Sequence, residues 1–365
     1  MAAQSILGTH EFSDERRGFH AFIAIDDLTL GPALGGIRMY PYRCLEEART
    51  DCERLARAMT LKSALARVPL GGGKMVVVGN PLTDKKDALY RFVADCINPL
   101  GGTYIAACDV GWNPPDLLAL GKLTPYAALP PRKGICDDDT AEMTATGVVF
   151  GIQAVIEHCC DTREIRDLWF ALQGIGNVGR RTGIKLYRSG AGNIFICDDI
   201  TEKVRLFKHV CPRENVEVSS TATIYDQPAD IFVPCARGGV LTEETIERLA
   251  EAGFSAVAGS ANNQLAEPEE HTAALLYEKD ICYAPDFVIN AGGVIDCAAK
   301  IAGKYSKEST KAKALEIGPR LLDIFKRAKA ANCSPHTIAL ADAERILGEA
   351  RTKKVTPQTP PVSPA

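Results

Sequence analysis

The sequence predicts an α/β protein of two domains: a mixed α/β unit first, then a doubly wound sheet of parallel strands. Three observations lead there. The chain has 365 residues, more than a single core usually holds. After residue 140, short apolar strands alternate with helices whose apolar residues recur at helical period, the pattern of a parallel sheet covered on both faces. A glycine-rich turn joins the first of those strands to the helix after it.

Within residues 1–140, "FHAFIAIDDL", "MVVVG" and "TYIAACDV" read as strands separated by long helices. From 141 to 331 the order is helix "TATGVVFGIQAVIEH", strand "LWFALQ", the glycine turn, helix "VGRRTGIKLYRS", strand "NIFICD" and helix "TEKVRLFK". Then follow strand "ADIFVPCA", helix "TEETIERLA", strand "SAVAGS", helix "EEHTAALLYEKD" and strand "ICYAPDFVI". A long helical pattern runs from about Lys307 to Ala331, and a second, from Ile338 to Ala350 within residues 332–350, is expected to join the first domain. Residues 354–365, rich in proline and poor in apolar side chains, are expected to form a disordered tail.

Composition narrows the function classes. A net charge of −4 and a pI near 6.0, with lysines and arginines scattered, leave no basic field for nucleic acid. The start lacks a signal-peptide pattern and no apolar run is long enough to span a bilayer, so a cytoplasmic protein with no membrane partner is expected. The 13 cysteines are odd in number, spread singly apart from Cys159 and Cys160, and form no CxxC, which favours reduced thiols over a disulfide frame. The histidines are isolated in sequence, and no metal ion is expected.

Gly174, Gly176 and Gly179 have G-x-G-x-x-G spacing directly after a strand and at a helix start. The first glycine permits the tight turn, the second lets backbone approach a pyrophosphate, and the third lets helix and strand pack. Asp199, at the end of the next strand, is placed to hold ribose hydroxyls and repel a 2′-phosphate, so NAD is expected over NADP. Lys203 and Arg205 nearby are the features that would suit NADP. The plain alternative is a glycine turn without dinucleotide.

Leu45, Ala48, Cys52, Leu55 and Met59 mark one buried face of a helix, and the next member of that stripe is Lys62. A lysine there must snorkel to water or meet a counter-charge. Lys74 follows "VPLGGG" at a strand mouth only a little further on, so both ammonium groups can converge on one cleft. It is not a phosphate-loop lysine, because Val68 and Met75 stand where that motif needs Gly and Ser or Thr. Asp109 ends the strand of "TYIAACDVGWNPP", ahead of a helix opened by Asn113 and Pro114. It either caps a turn or completes an acid and base pair beside an anion clamp.

In order along nearly the whole chain, "GPALGGIRMYPY", "MTLKSALARVPLGGGK", "AACDVG", "QGIGNVG", "PCARGGVLTEETI", "VAGSANNQL" and "YAPDFVINAGGVI" resemble the dehydrogenases of leucine, valine and phenylalanine, relatives of glutamate dehydrogenase. The resemblance implies an active site in the cleft between the domains, Lys62 on the substrate α-carboxylate, Lys74 activating water and Asp109 moving a proton to and from the amine. Gly35, Gly36 and Asn263 would also contact substrate; Asn177, Val178, Ala236 and Asn290 would join the three glycines and Asp199 around NAD. By the same matching, Leu34, Ala107, Val294 and Cys297 line the side-chain pocket, and glutamate enzymes carry a lysine where Leu34 stands.

The implied reaction is deamination of leucine, isoleucine or valine to a 2-oxo acid and ammonium, with its reversal, by a homo-oligomer. The alternatives are an aromatic amino acid as substrate, or a non-catalytic nucleotide-binding relative. Asp26, Cys108, Cys297 and the acidic stretch within residues 131–143 depart from the family pattern.

Overall fold

The computed structural model describes residues 6–129, 139–160, 164–303 and 305–355. The acidic Asp137 and Asp138 and residues 356–365 of the expected tail lie outside them.

The N-terminal half holds β1 (Gly8–Asp14), β2 (Phe19–Asp27), β3 (Ala33–Tyr40), α1 (Leu45–Leu65), β4 (Gly71–Val78), α2 (Asp87–Ile97), β5 (Tyr104–Cys108) and α3 (Pro114–Leu120). Its strands form one sheet in the order β1-β2-β4-β3-β5. β1–β2 and β2–β4 are antiparallel, whereas β3 runs parallel to both β4 and β5. Alternation along β2 explains the layers. Ala21, Ile23 and Ile25 pack with Leu89 and Phe92 of α2 and Leu117 of α3, while Phe22 and Ala24 pack with Ala48, Cys52 and Ala56 of α1.

The second half continues with α4 (Asp139–Cys159), β6 (Trp169–Gln173), α5 (Asn177–Arg188), β7 (Asn193–Cys197), α6 (Thr201–Val210), β8 (Val216–Val218), β9 (Ile231–Pro234), α7 (Glu243–Ala252), β10 (Ala256–Val257), α8 (Glu269–Glu278) and β11 (Cys282–Tyr283). It ends with α9 (Asp286–Ile289), α10 (Gly292–Ile301), α11 (Lys307–Leu315), α12 (Ile317–Ala331) and α13 (Pro335–Val355). The six strands are all parallel, in the order β11-β10-β9-β6-β7-β8, the doubly wound arrangement expected. Strand order reverses between β6 and β9, and the glycine turn after β6 stands at that crevice. α13 packs against α1, α8 and α12. Among the described residues no helix is long and apolar enough to cross a membrane.

Four local differences from the sequence reading have physical causes. "ICYAPDFVI" is not one strand: β11 stops at Tyr283, and Pro285, with φ of −54°, leads into α9, whose first turn carries Asp286. The helical run from Lys307 breaks after Leu315, because Pro319 supplies no N–H and its ring crowds the carbonyl four residues back. Leu45, counted on the buried stripe of α1, is exposed, whereas Ala48, Cys52, Leu55 and Lys62 are buried. The triple glycine before Lys74 is not a loop at a strand mouth but lies inside β4, paired to β2 on one side and β3 on the other.

The close approach of α1 explains those glycines. A Cβ on Gly72 would stand 2.1 Å from Thr60 Oγ1 and 2.3 Å from Thr60 N, and one on Gly71 would stand 2.0 Å from the Asp27 carbonyl oxygen. Gly72→Ala is expected to lower the stability of the folded chain by about 1–3 kcal/mol through overpacking. An unchanged urea midpoint would show that α1 can retreat at no cost.

Candidate active site

The site begins with strand register. Across β3, Gly36 faces Ala107 of β5, and Ile37 faces both Met75 of β4 and Cys108 of β5. Side chains alternate, so Leu34, Gly36 and Arg38 share a face with Lys74 and Ala107. Asp109, the first residue beyond β5, folds onto the same face through its bridge with Trp112.

Lys74, only 3% exposed, places Nζ 2.5 Å from Asp109 Oδ2. The two belong to the strands flanking β3, about 10 Å apart at two strand spacings, so the pair must meet above β3. Gly36 makes room: a Cβ there would lie 2.7 Å from Asp109 Cβ. Arg38, which the sequence reading did not single out, donates from Nε to the same Oδ2 at 3.0 Å and from Nη1 to Asp51 Oδ2 at 3.0 Å. Burial pushes the Asp109 carboxyl up, but Lys74 and Arg38 outweigh it and hold it well below the usual carboxylate range. Burial lowers the Lys74 ammonium below the ordinary lysine range, against the opposing pull of Asp109.

Lys62, on the same apolar stripe of α1, is 6% exposed and is pushed down to about 8 by burial, with Lys74 reinforcing and Asp286 opposing. Both lysines therefore converge, as their contexts suggested. Lys62 Nζ donates to Asn262 Oδ1 at 2.7 Å, and Asn290 Nδ2 donates to the same oxygen at 2.9 Å. Asn263, the asparagine singled out in sequence, is not the one that meets Lys62. Its backbone sits in the left-handed region at φ +50°, its N–H donates to Asp286 Oδ2 at 2.6 Å, and its half-buried side chain has no partner among the described residues. That turn leaves Asn262 facing the lysine.

Leu34, Ala107, Val294 and Cys297 are all buried members of one contiguous apolar cluster that spans both halves of the chain. Burial pushes the Cys297 thiol up to about 12, so this wall is uncharged at neutral pH. Gly35 serves the opposite need from Gly36: a Cβ on it would strike the Gly73 carbonyl oxygen at 2.0 Å.

At the glycine turn each glycine has a separate geometric reason. Gly174 has φ of +96° and presses against Ala236, whose N lies 2.8 Å from where its Cβ would be. Gly179 approaches the Gly174 carbonyl oxygen, 2.0 Å from a built Cβ. Gly176 has no atom within 4 Å of that position, which leaves open space at the start of α5, where Asn177 and Val178 form the first turn. The acid at this turn is Asp198, not Asp199. Asp198 Oδ2 accepts from Ile175 N at 2.7 Å, because β7 ends at Cys197 and the first residue past a parallel strand faces the adjacent turn. Asp199 is exposed, with no hydrogen-bond or ion partner among the described residues. Asn290 Oδ1 is buried with no partner. A dinucleotide fits these features: an open glycine cradle on a helix N-terminus, an acid beside it and an unused acceptor.

Residues 7–123 match the family described as Glu/Leu/Phe/Val dehydrogenase, dimerisation domain, and residues 134–332 match Glutamate/Leucine/Phenylalanine/Valine dehydrogenase. The chain belongs to this dehydrogenase family. Phenylalanine dehydrogenase of Bacillus thermotolerans is 40% identical over 323 residues, covering 87% of this chain and 81% of that protein. Leucine dehydrogenase of Geobacillus stearothermophilus is 38% identical over 339 residues, covering 92% and 88%. The crystal structure of L-tryptophan dehydrogenase from Nostoc punctiforme aligns with a TM-score of 0.73 at 34% identity, covering 94% of this chain and 96% of that one. The protein is thus an amino-acid dehydrogenase, an oxidoreductase.

A methyl group on residue 36 would separate the two groups that meet above it. Gly36→Ala is therefore expected to reduce dehydrogenase turnover by at least about 100-fold while far-UV circular dichroism stays native. Native turnover in the folded variant would show that the Lys74–Asp109 contact is dispensable.

Proposed function

We propose that the protein catalyses NAD-dependent oxidative deamination of an apolar L-amino acid, leucine, isoleucine or valine, to the 2-oxo acid and ammonium, and the reverse reductive amination. The observation that carries this reading is the convergence of two buried lysines, Lys62 and Lys74, with the half-buried Asp109 beside an uncharged wall. Lys62 pairs with the substrate α-carboxylate. Asp109, anionic beside Lys74 and Arg38, takes a proton from the substrate ammonium. Bound NAD supplies the hydride acceptor. Lys74, with its lowered pKa, takes a proton from the water that adds to the imine carbon. Asp109 then returns its proton to nitrogen, and as the C–N bond breaks and C=O forms, the carbinolamine hydroxyl proton passes to the departing ammonia, which leaves as ammonium.

The cofactor would lie on Gly174, Gly176, Asn177, Val178 and Gly179, against Ala236 and Asn290. Asp198 takes over from Asp199 as the acid for the ribose hydroxyls, and it already engages Lys203 at 3.3 Å, which leaves that lysine less available for a 2′-phosphate. Assembly as a homo-oligomer is supported by the dimerisation domain named for residues 7–123.

A second reading, an aromatic amino acid as substrate, is favoured by relatives named phenylalanine and tryptophan dehydrogenase. The charge of the pocket does not separate the two readings. Leu34 and Val294 offer no partner to a side-chain carboxylate, whose burial would cost several kcal/mol, whereas each buried methylene gains about 0.8 kcal/mol. NADH formation from the twenty amino acids is the test. Leucine, isoleucine and valine should exceed glutamate in kcat/KM by at least about 100-fold, with NAD preferred to NADP. Glutamate level with leucine overturns the pocket assignment, and phenylalanine or tryptophan above leucine transfers the function to the second reading.

The two lysines also predict opposite pH responses. Lys62 is charged below about 8 and loses its charge as pH rises, so the KM for the amino acid should climb above that pH. By contrast, kcat for deamination should rise with pH as Lys74 loses its proton, which burial makes easier than for an ordinary lysine. Lys62→Gln should raise KM and remove its pH dependence while leaving the kcat profile in place. A KM independent of pH in the wild type would show that Lys62 is not the carboxylate anchor.

A further inference from the structure

Away from the cleft, the end of α4 meets the start of β11. A ring nitrogen of His158 and the Sγ atoms of Cys159 and Cys282 all lie within 4.8 Å of one another. We propose that these three side chains form a binding site for a thiophilic divalent cation of the zinc class. The expectation of no metal rested on isolated residues in sequence; Cys282 is far along the chain from the other two, and only the fold unites them.

The donor set carries the argument. Two thiols and an imidazole are soft and borderline ligands that select zinc over magnesium or calcium. A tetrahedral ion, about 2.3 Å from sulfur and 2.0 Å from nitrogen, holds its ligand atoms about 3.6–3.8 Å apart, so closure needs movements of only about 1 Å. All three side chains are half-buried, which shields the sulfurs and still lets water complete the fourth position. Consecutive residues on a helix point apart, but α4 ends at Cys159, so its backbone is free to aim His158 and Cys159 at one point.

Surrounding groups suit the same purpose. The His158 ring stacks on Phe325 of α12 with centroids 5.0 Å apart at 25°, which fixes its plane. Occupancy would clip α4 to the strand that leads directly into Asp286, whose carboxylate holds the Asn263 backbone.

The test uses untagged full-length protein, reduced and stripped of metal, titrated with zinc against a chromophoric chelator. One equivalent per chain is expected, together with a higher melting temperature. Cobalt(II) should give sulfur-to-metal charge transfer and tetrahedral d–d bands. Cys159→Ser and Cys282→Ser should each weaken binding by at least about 100-fold, while Cys44→Ser, which alters an exposed cysteine, leaves it unchanged. Should either site variant fail to fold, His158→Gln reports instead, by losing affinity while keeping the sulfur bands. Absence of stoichiometric zinc, binding that survives both serine substitutions, or a Cys159–Cys282 disulfide in the reduced preparation overturns the assignment.

Discussion

An ammonium buried as deeply as that of Lys74 cannot stand alone, and much of the N-terminal sheet is arranged around its partner. Breaking a buried ion pair on one side leaves an uncompensated charge, at a cost of roughly 3–5 kcal/mol. The partner, Asp109, belongs to a strand on the far side of β3, so the contact must pass over that strand. Residue 36 can then carry no side chain. Arg38, next on the same face of β3, brings a second cation to Asp109 and divides its own charge between that carboxylate and Asp51. Gly36 of "ALGG" and Gly72 of "LGGGK" thus answer to two close approaches, the charge pair above β3 and α1 against β4, while Gly35 and Gly71 lie against neighbouring backbone carbonyls.

This arrangement explains which features could be read from sequence. Lys62 and Lys74 announced themselves because each interrupts an apolar pattern, and Asp109 because it ends a strand before a proline-opened helix. Arg38 gave no such sign, since alternation along β3 is hidden by two glycines with no side chain to show a face. For the same reason β3 itself, although central to the site, was not marked as a strand. The placement of Asp198 at the glycine turn and of Asn262 beside Lys62 carries no mark in the sequence. Neighbouring identical residues differ only in backbone direction, which is set by the end of β7 in one case and by the left-handed residue 263 in the other. The doubly wound half was plain because repeated apolar strands and helices carry their own period. Proline effects at 285 and 319 altered the ends of elements, not their order.

The cleft divides its chemistry between the two halves of the chain. Charges come from the N-terminal sheet and its helix: Lys62, Lys74, Arg38 and Asp109. The facing segment offers amides, Asn262 and Asn290, with Asp286 behind them held by Asn263 and Tyr283. The hydrogen bonds from Lys62 to Asn262 and from Asn290 to Asn262 link these two sides. Amides accept and donate without changing charge, so in the proposed reaction the proton movements stay among groups on one wall, where the pKa values have been pushed apart.

The same division bears on why relatives of similar identity to this chain carry different substrate names. In the proposed reading the reacting centre is held by charged groups whose desolvation makes them sensitive to displacement, and they leave little latitude. The proposed side-chain pocket is built from Leu34, Ala107, Val294 and a Cys297 thiol that burial keeps neutral at physiological pH. Between two apolar side chains such a wall discriminates only by fit, on the order of 1–3 kcal/mol for a methylene-sized difference. Against a charged side chain it discriminates by the full cost of an unpaired ion. Exchange of one small residue for another can therefore shift preference between branched and aromatic substrates while the proton-transfer groups stay fixed. Admission of an acidic substrate requires a new cation in the wall itself.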